Sequence, residues 1–200
     1  MAKTLAAAVL VLMLCAFGTA HAGIIGFDPG PGSFGTYYAG SSFDGWTVTS
    51  GSIDWIGNYW QAPVSGQGSV DLDGNSPGAI STSLTTAIGT TYAVTFSLSG
   101  NPDGAPTQKS VTAAAGGGGN TFTYTIGANT HGNMNYVVES FDFTANAVLT
   151  PLTFTSNDQN SPYGPVIGNV QVSAVPVPPS VLLLAPGLLG LVGLKKRFKA

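Results

Sequence analysis

Apolar and polar residues alternate with a period of two in one short stretch of the chain after another, the spacing of strands with one buried face. Residues 91–99 carry it most clearly: Tyr92, Val94, Phe96 and Leu98 fall on one side, and Thr91, Thr95, Ser97 and Ser99 on the other. Residues 69–80 read as strand, turn and strand, a hairpin in which Val70 and Leu72 alternate with Ser69, Asp71 and Asp73 before the turn residues 74–78 and a restart at Ile80. Further short strands are expected at 46–50, 53–56, 109–113 and around Phe122, Tyr124 and Ile126. Residues 116–119, all glycine, are expected to be a flexible loop. In 135–144 the phase shifts between Val138 and Phe141, which predicts a bulge. Pro151 inside 148–156 predicts an edge strand or two short ones. Val166, Val170 and Val172 are expected to line one side of a closing strand. Strands without intervening helical periods predict an antiparallel β-sandwich of about eight strands.

The two ends do not share this pattern. Lys3 precedes the apolar run 5–17, and Ala20 and Ala22 flank His21, so residues 1–22 read as an export signal helix with cleavage before Gly23. Cys15 lies inside that segment after Leu14, which is not the small residue of a lipoprotein site, and the mature chain is expected to hold no thiol. At the far end Val175, Pro176, Val177 and Pro178 lead into the apolar run 181–194 and then Lys195, Lys196 and Arg197. That order predicts a hydrophobic helix in the membrane with its basic cap inside and the sandwich outside. The tail resembles PEP-CTERM sorting signals of the VPLPA-like kind, with Val177 where many members carry Glu. The resemblance implies an exosortase-type sorting protease as a partner of 175–200.

Removing both ends changes the charge. Residues 23–174 hold Lys109 as their sole lysine or arginine against nine acids, a net of −8. A domain so acidic has no means of binding DNA or RNA by counterion release, and its natural partners are uncharged molecules or divalent cations.

Several strings in this middle region, taken in order, resemble one family. They are Gly45-Trp46-Thr47-Val48, Ser69-Val70-Asp71-Leu72-Asp73-Gly74, Leu98-Ser99-Gly100-Asn101-Pro102-Asp103-Gly104 and Tyr163-Gly164-Pro165-Val166-Ile167. Residues 36–173 are similar to the choice-of-anchor C domain, which is akin to the DUF642 group. The resemblance implies a galactose-binding-like jelly roll over 23–174 that works as a cell-surface binding domain. In jelly rolls of this type a terminal calcium site often draws on an acid of the opening strand and on the Asp of an Ile-Asp-Asn-Val motif. Here residues 23–34 contain no Glu, and Gly168 stands at the second position.

Candidate chemistry is sparse. Asp71, Asp73 and Asn75 form the start of a calcium loop, but Ser76 and Thr82 stand where an EF-hand needs Gly and a bidentate acid. Asp71 and Asp73 are expected to be exposed, with a turn role for Asp73; a cation site of another kind and a glycosidase pair are the alternatives. Catalysis is not expected from them, because exposed acids on one strand have no cause for a raised pKa. His131 reads as a solvated loop residue. Trp46 and Trp55 are assigned to the core, while Tyr59, Trp60 and Gln61 are weighed equally as packing and as a surface platform on which a sugar ring could stack. With Asp71, Asp73, Asn101 and Asp103 they make up the expected ligand-binding set. The sequence thus predicts an exported, membrane-tethered or surface-sorted protein without catalysis that binds extracellular polysaccharide or contributes to the matrix. It needs no cofactor, and calcium is the one ion considered. A structural or adhesive surface protein is the competing reading, and a glycan hydrolase the third.

Overall fold

The computed structural model describes residues 23–176; the expected signal segment, most of the sorting motif, the apolar run and the basic cluster lie outside them. Among the described residues there is no helix, and thirteen strands follow one another: β1 Gly23–Ile24, β2 Phe34–Tyr38, β3 Ser42–Phe43, β4 Trp46–Ser50, β5 Ser52–Ile56, β6 Ser69–Asp71, β7 Ala79–Thr85, β8 Thr91–Gly100, β9 Gln108–Ala115, β10 Gly118–Thr125, β11 Val137–Thr144, β12 Leu149–Ser156 and β13 Pro165–Ala174. They form two antiparallel sheets. Sheet A runs β11-β8-β13-β6-β5-β2, with β1 also on β13, and sheet B runs β10-β9-β12-β7-β4-β3. The all-β sandwich is as expected, and the larger strand number comes from short edge pieces such as β1 and β3.

Period-2 alternation decides what lies between the sheets. Tyr92, Val94, Phe96 and Leu98 of β8 are buried, as their spacing requires, opposite Val111, Ile80, Leu152 and Phe154 from sheet B. The Phe96 and Phe154 rings meet edge to face at 5.0 Å. Trp46 is buried in this core, and the half-buried Trp55 packs against it while donating its indole N–H to the Asp28 carbonyl at 3.0 Å.

Five local expectations are corrected. The stretch 69–80 is no hairpin, because β6 belongs to sheet A and β7 to sheet B, so the turn carries the chain across the sandwich. Gly116 and Gly117 are not a flexible loop but the tight turn of the β9–β10 hairpin, with φ of 55° and 83°, which only glycine adopts cheaply. β11 pairs with β8 without interruption from Val137 to Thr144; Val138 simply faces outward at 74% exposure, and no bulge is needed. Pro151 sits in a continuous, doubly paired β12, opposite Ser83 of β7 but beyond Leu152, where pairing with β9 begins, so its missing N–H costs no ladder bond there. A bulge does occur between Gly168 and Gln171 of β13. It shifts the phase, so Val166 joins a second cluster with Ile56, Trp60 and Met134 while Ile167, Val170 and Val172 face the main core.

Candidate functional site

The second cluster marks where the outer face of sheet A is covered. Alternation along the paired strands β2 and β5 turns Phe34 and Thr36, opposite Ile56 and Asp54, to that outer face, while Tyr37 and Ile53 go to the core. The segment after β5 then folds over the sheet. Trp60 is 5% exposed and donates its indole N–H to the Ser69 hydroxyl at 2.9 Å, so it is mainly a structural anchor with one edge in the lining of a cleft. Gln61 joins two loops: its backbone N–H donates to the His131 carbonyl at 2.7 Å, and its side-chain oxygen accepts from the Met134 N–H at 2.9 Å.

Tyr59 does reach the surface. Its ring meets Phe34 edge-on at 5.3 Å and lies 4.5 Å from the His131 ring. Its hydroxyl donates to Asp103 at 3.0 Å, and His131 Nε2 lies 2.6 Å from the other oxygen of the same carboxylate. That carboxylate raises the Tyr59 pKa. His131 is a loop residue whose side chain stays 42% exposed, as expected, and the structure adds that the imidazole lies between a phenol and a carboxylate. Asp103 is positioned in turn by Asn101, whose side-chain oxygen accepts the Asp103 backbone N–H at 2.9 Å.

These groups border a cleft of about 240 Å³ whose lining includes Phe34, Asp54, Tyr59, Asn75, Asp103 and Tyr163. Asp54 accepts the Thr36 hydroxyl at 2.6 Å; burial pushes its carboxyl up, and that hydrogen bond draws it part of the way back. Asn75 is exposed and donates to the Tyr38 hydroxyl at 2.7 Å.

Asp71 and Asp73 lie beneath the cleft. Both are fully buried, which corrects the expectation that they are exposed. Asp71 accepts from the N–H of Asp73 (2.9 Å), the N–H of Gly164 (3.0 Å) and the Asn101 amide (2.6 Å). Burial nonetheless pushes its carboxyl well above the usual range, against those donors. Burial pushes Asp73 up to about 7, against a Ser156 hydroxyl that draws it part of the way back. Gly164 is required here, because a Cβ at that position would fall 2.5 Å from Asp73 Cγ and 2.6 Å from Asp71 Oδ1. Lys109 is also buried and donates to the carbonyls of Gly104 and Tyr163; burial lowers its pKa, and Asp158, Asp71 and Asp73 oppose that. The absence of a pKa shift thus no longer argues against catalysis by these acids. Their inaccessibility does, since neither carboxyl reaches a substrate. The calcium run is not gathered either: Asp71 is taken up by three donors and Asn75 bonds away from it to Tyr38.

Of the expected ligand set, then, Tyr59, Trp60, Asn101 and Asp103 line the cleft, Trp60 and Asn101 being almost wholly buried, while Gln61, Asp71 and Asp73 lie outside its lining. Phe34, Thr36, Asp54, His131 and Tyr163 were missed. The alternation of Phe34 and Thr36 was the one local signal; the others meet only through the fold.

Over 62 residues, 30% of this chain, the sequence is 39% identical to halomucin of Haloquadratum walsbyi, and the match spans 1% of that protein. Among solved structures, a CBM35 from Paenibacillus barcinonensis is similar with a TM-score of 0.46 at 17% identity, covering 70% of this chain and 99% of that one. A CBM22-1 xylan-binding domain from the same organism has a TM-score of 0.47 at 14% identity over 76% and 99% of the two chains. A family 35 carbohydrate binding module from Clostridium thermocellum has 0.47 at 17% over 71% and 98%. The family described as "Protein of unknown function (DUF642)" matches residues 32–173, most of the sandwich, and the chain belongs to that family.

Proposed function

We propose that this protein is an exported, surface-anchored and non-catalytic binding domain for extracellular polysaccharide, with its ligand site in the cleft over β2 and β5. The observation that carries the reading is the lining itself: the rings of Phe34, Tyr59 and Tyr163 stand around the carboxylates of Asp54 and Asp103 and the Asn75 amide. Sugar rings offer C–H faces for stacking and hydroxyls for just such acceptors and donors.

The path of the chain supports the tethered arrangement. It enters through β1, paired with Val172 and Gln171 near the end of β13, and leaves at Val175, whose N–H donates to the Thr91 carbonyl. The cleft instead borders the segments after Gly100 and before Pro165, the opposite ends of β8 and β13. Ten-residue strands separate the two ends by roughly 30 Å. A membrane helix or a sorted C-terminus following Pro176 would hold the cleft outward, and an exosortase-type protease fits such a tail.

One observation favours a second reading, that of an adhesive or structural surface protein. The outward face of sheet B carries an uncharged array in which Thr47, Ser81 and Thr153 lie side by side, as do Thr155, Thr112 and Thr121. Pull-down of the purified chain on soluble and insoluble polysaccharides separates the two. Binding that Tyr59→Ala abolishes supports the cleft, and binding to none of them leaves the adhesive reading.

A further inference from the structure

The proposed site also has a sign of charge. Asp54 of β5 lies directly opposite Asp71 of β6 in the antiparallel register. Directly paired residues share a face with Cβ atoms about 5 Å apart, and burial holds the Asp71 carboxyl toward its neutral form, leaving Asp54 the carboxylate that faces the cleft. The cleft lies over this pair with Asp54 in its lining and Asp103 across from it. Nothing on the protein side neutralises Asp54. Lys109, the only lysine or arginine between 23 and 176, gives its ammonium to the carbonyls of Gly104 and Tyr163, and His131 is placed on Asp103. Asp54 itself receives a neutral hydroxyl from Thr36. Around it stand the rings of Phe34, Tyr59 and Tyr163, whose faces attract cations.

Carboxylates and aromatic rings lining a cleft that holds no lysine or arginine suit a ligand that brings its own positive charge. We infer that the cleft selects glycans bearing free amines, deacetylated hexosamine units, over N-acetylated or neutral sugars, and that it rejects uronates. The ammonium would lie against Asp54, where it forms a charge-assisted hydrogen bond, while the sugar ring stacks on Tyr59 or Phe34. The domain's net charge of −8 works in the same direction by drawing polycationic chains and repelling polyanionic ones.

This inference rests on the cleft being a glycan site. It is tested by isothermal titration of the purified chain with glucosamine tetramer, N-acetylglucosamine tetramer and tetragalacturonate, at about pH 6 in EDTA, where the amine is largely protonated and the uronate carboxylates are charged. The expected result is a Kd for the amine oligomer at least tenfold below that for the acetylated one, with no uronate binding. The preference should weaken as salt is raised, and Asp54→Asn should reduce it to less than threefold. The salt series needs no variant, so a poorly folding Asp54→Asn does not block the test. Equal affinity for the amine and acetylated oligomers, or uronate binding that calcium restores, overturns the inference and leaves the glycan site standing. Failure of all three oligomers, and of the neutral polysaccharides in the pull-down, overturns the glycan site itself.

Discussion

Asp73 is a buried acid whose cost can be worked out. It has no exposed surface, and burial, opposed by a Ser156 hydroxyl, raises its pKa to about 7 against 3.8 for the free side chain. The native state therefore binds more protons than the unfolded chain between those two pH values. Unfolding free energy should fall as pH rises through that window, by up to about 1.4 kcal/mol per unit and about 4 kcal/mol in all. Asp71 and Asp158, also pushed up by burial, act in the same direction. Asn at position 73 keeps the shape and cannot ionise. Urea unfolding of the purified chain, followed by tryptophan fluorescence at about pH 4.5, 6 and 7.5, measures the slope. Asp73→Asn should lose most of one proton's worth of it, so that the variant gains about 2–4 kcal/mol on wild type between the lowest and highest pH. Identical slopes in both proteins would refute the reasoning, because Asp73 would then be ionised in the native state and compensated, with Lys109 the nearest cation.

Two other substitutions probe the same region. Gly164→Ala should lower the thermal midpoint by the equivalent of about 1–3 kcal/mol, the usual cost of overpacking, since its Cβ would collide with Asp73 and Asp71. Lys109→Met removes the bonds to the Gly104 and Tyr163 carbonyls and leaves Asp71, Asp73 and Asp158 without their cation. It should cost about 3–5 kcal/mol in urea unfolding, the range for breaking a buried charge arrangement, with the loss greatest above pH 7.

The sandwich was legible because its core obeys a local rule. Tyr92, Val94, Phe96 and Leu98 announce their side by spacing alone, and the turn glycines mark most strand ends. What was not legible depends on which chain segment covers which face. Alternation puts Ser69 and Asp71 opposite Val70, and a solvated polar face is the ordinary outcome. Here the segments carrying Trp60 and Met134 fold over that face with Ile56 and Val166, and both sides of β6 become interior. Nothing near Asp71 encodes this. The same long-range packing brings His131 to Asp103 across 28 residues and Tyr59 to Asp103 across 44. The step from β6 to β7 was misread for a related reason, since a turn rich in Gly and Pro looks alike whether it closes a hairpin or crosses between sheets. Val138 misled because a branched apolar residue was assumed to be inward, whereas its partner Ser97 of β8 and the flanking Phe141 and Phe143 set the phase.

The most direct test of the account is a polysaccharide pull-down and titration comparing the purified chain with a Tyr59→Ala variant and with Trp60→Phe. Tyr59 stands in the cleft and should carry at least tenfold of the affinity, in keeping with about 1.4 kcal/mol or more for a stacked ring. Trp60 also lines the cleft but is almost wholly buried, and its conversion to Phe should cost stability by about 1 kcal/mol through the lost Ser69 bond and lower affinity far less than Tyr59→Ala. Glycan binding that survives Tyr59→Ala unchanged, or the absence of binding to any glycan, would contradict the assignment of the cleft.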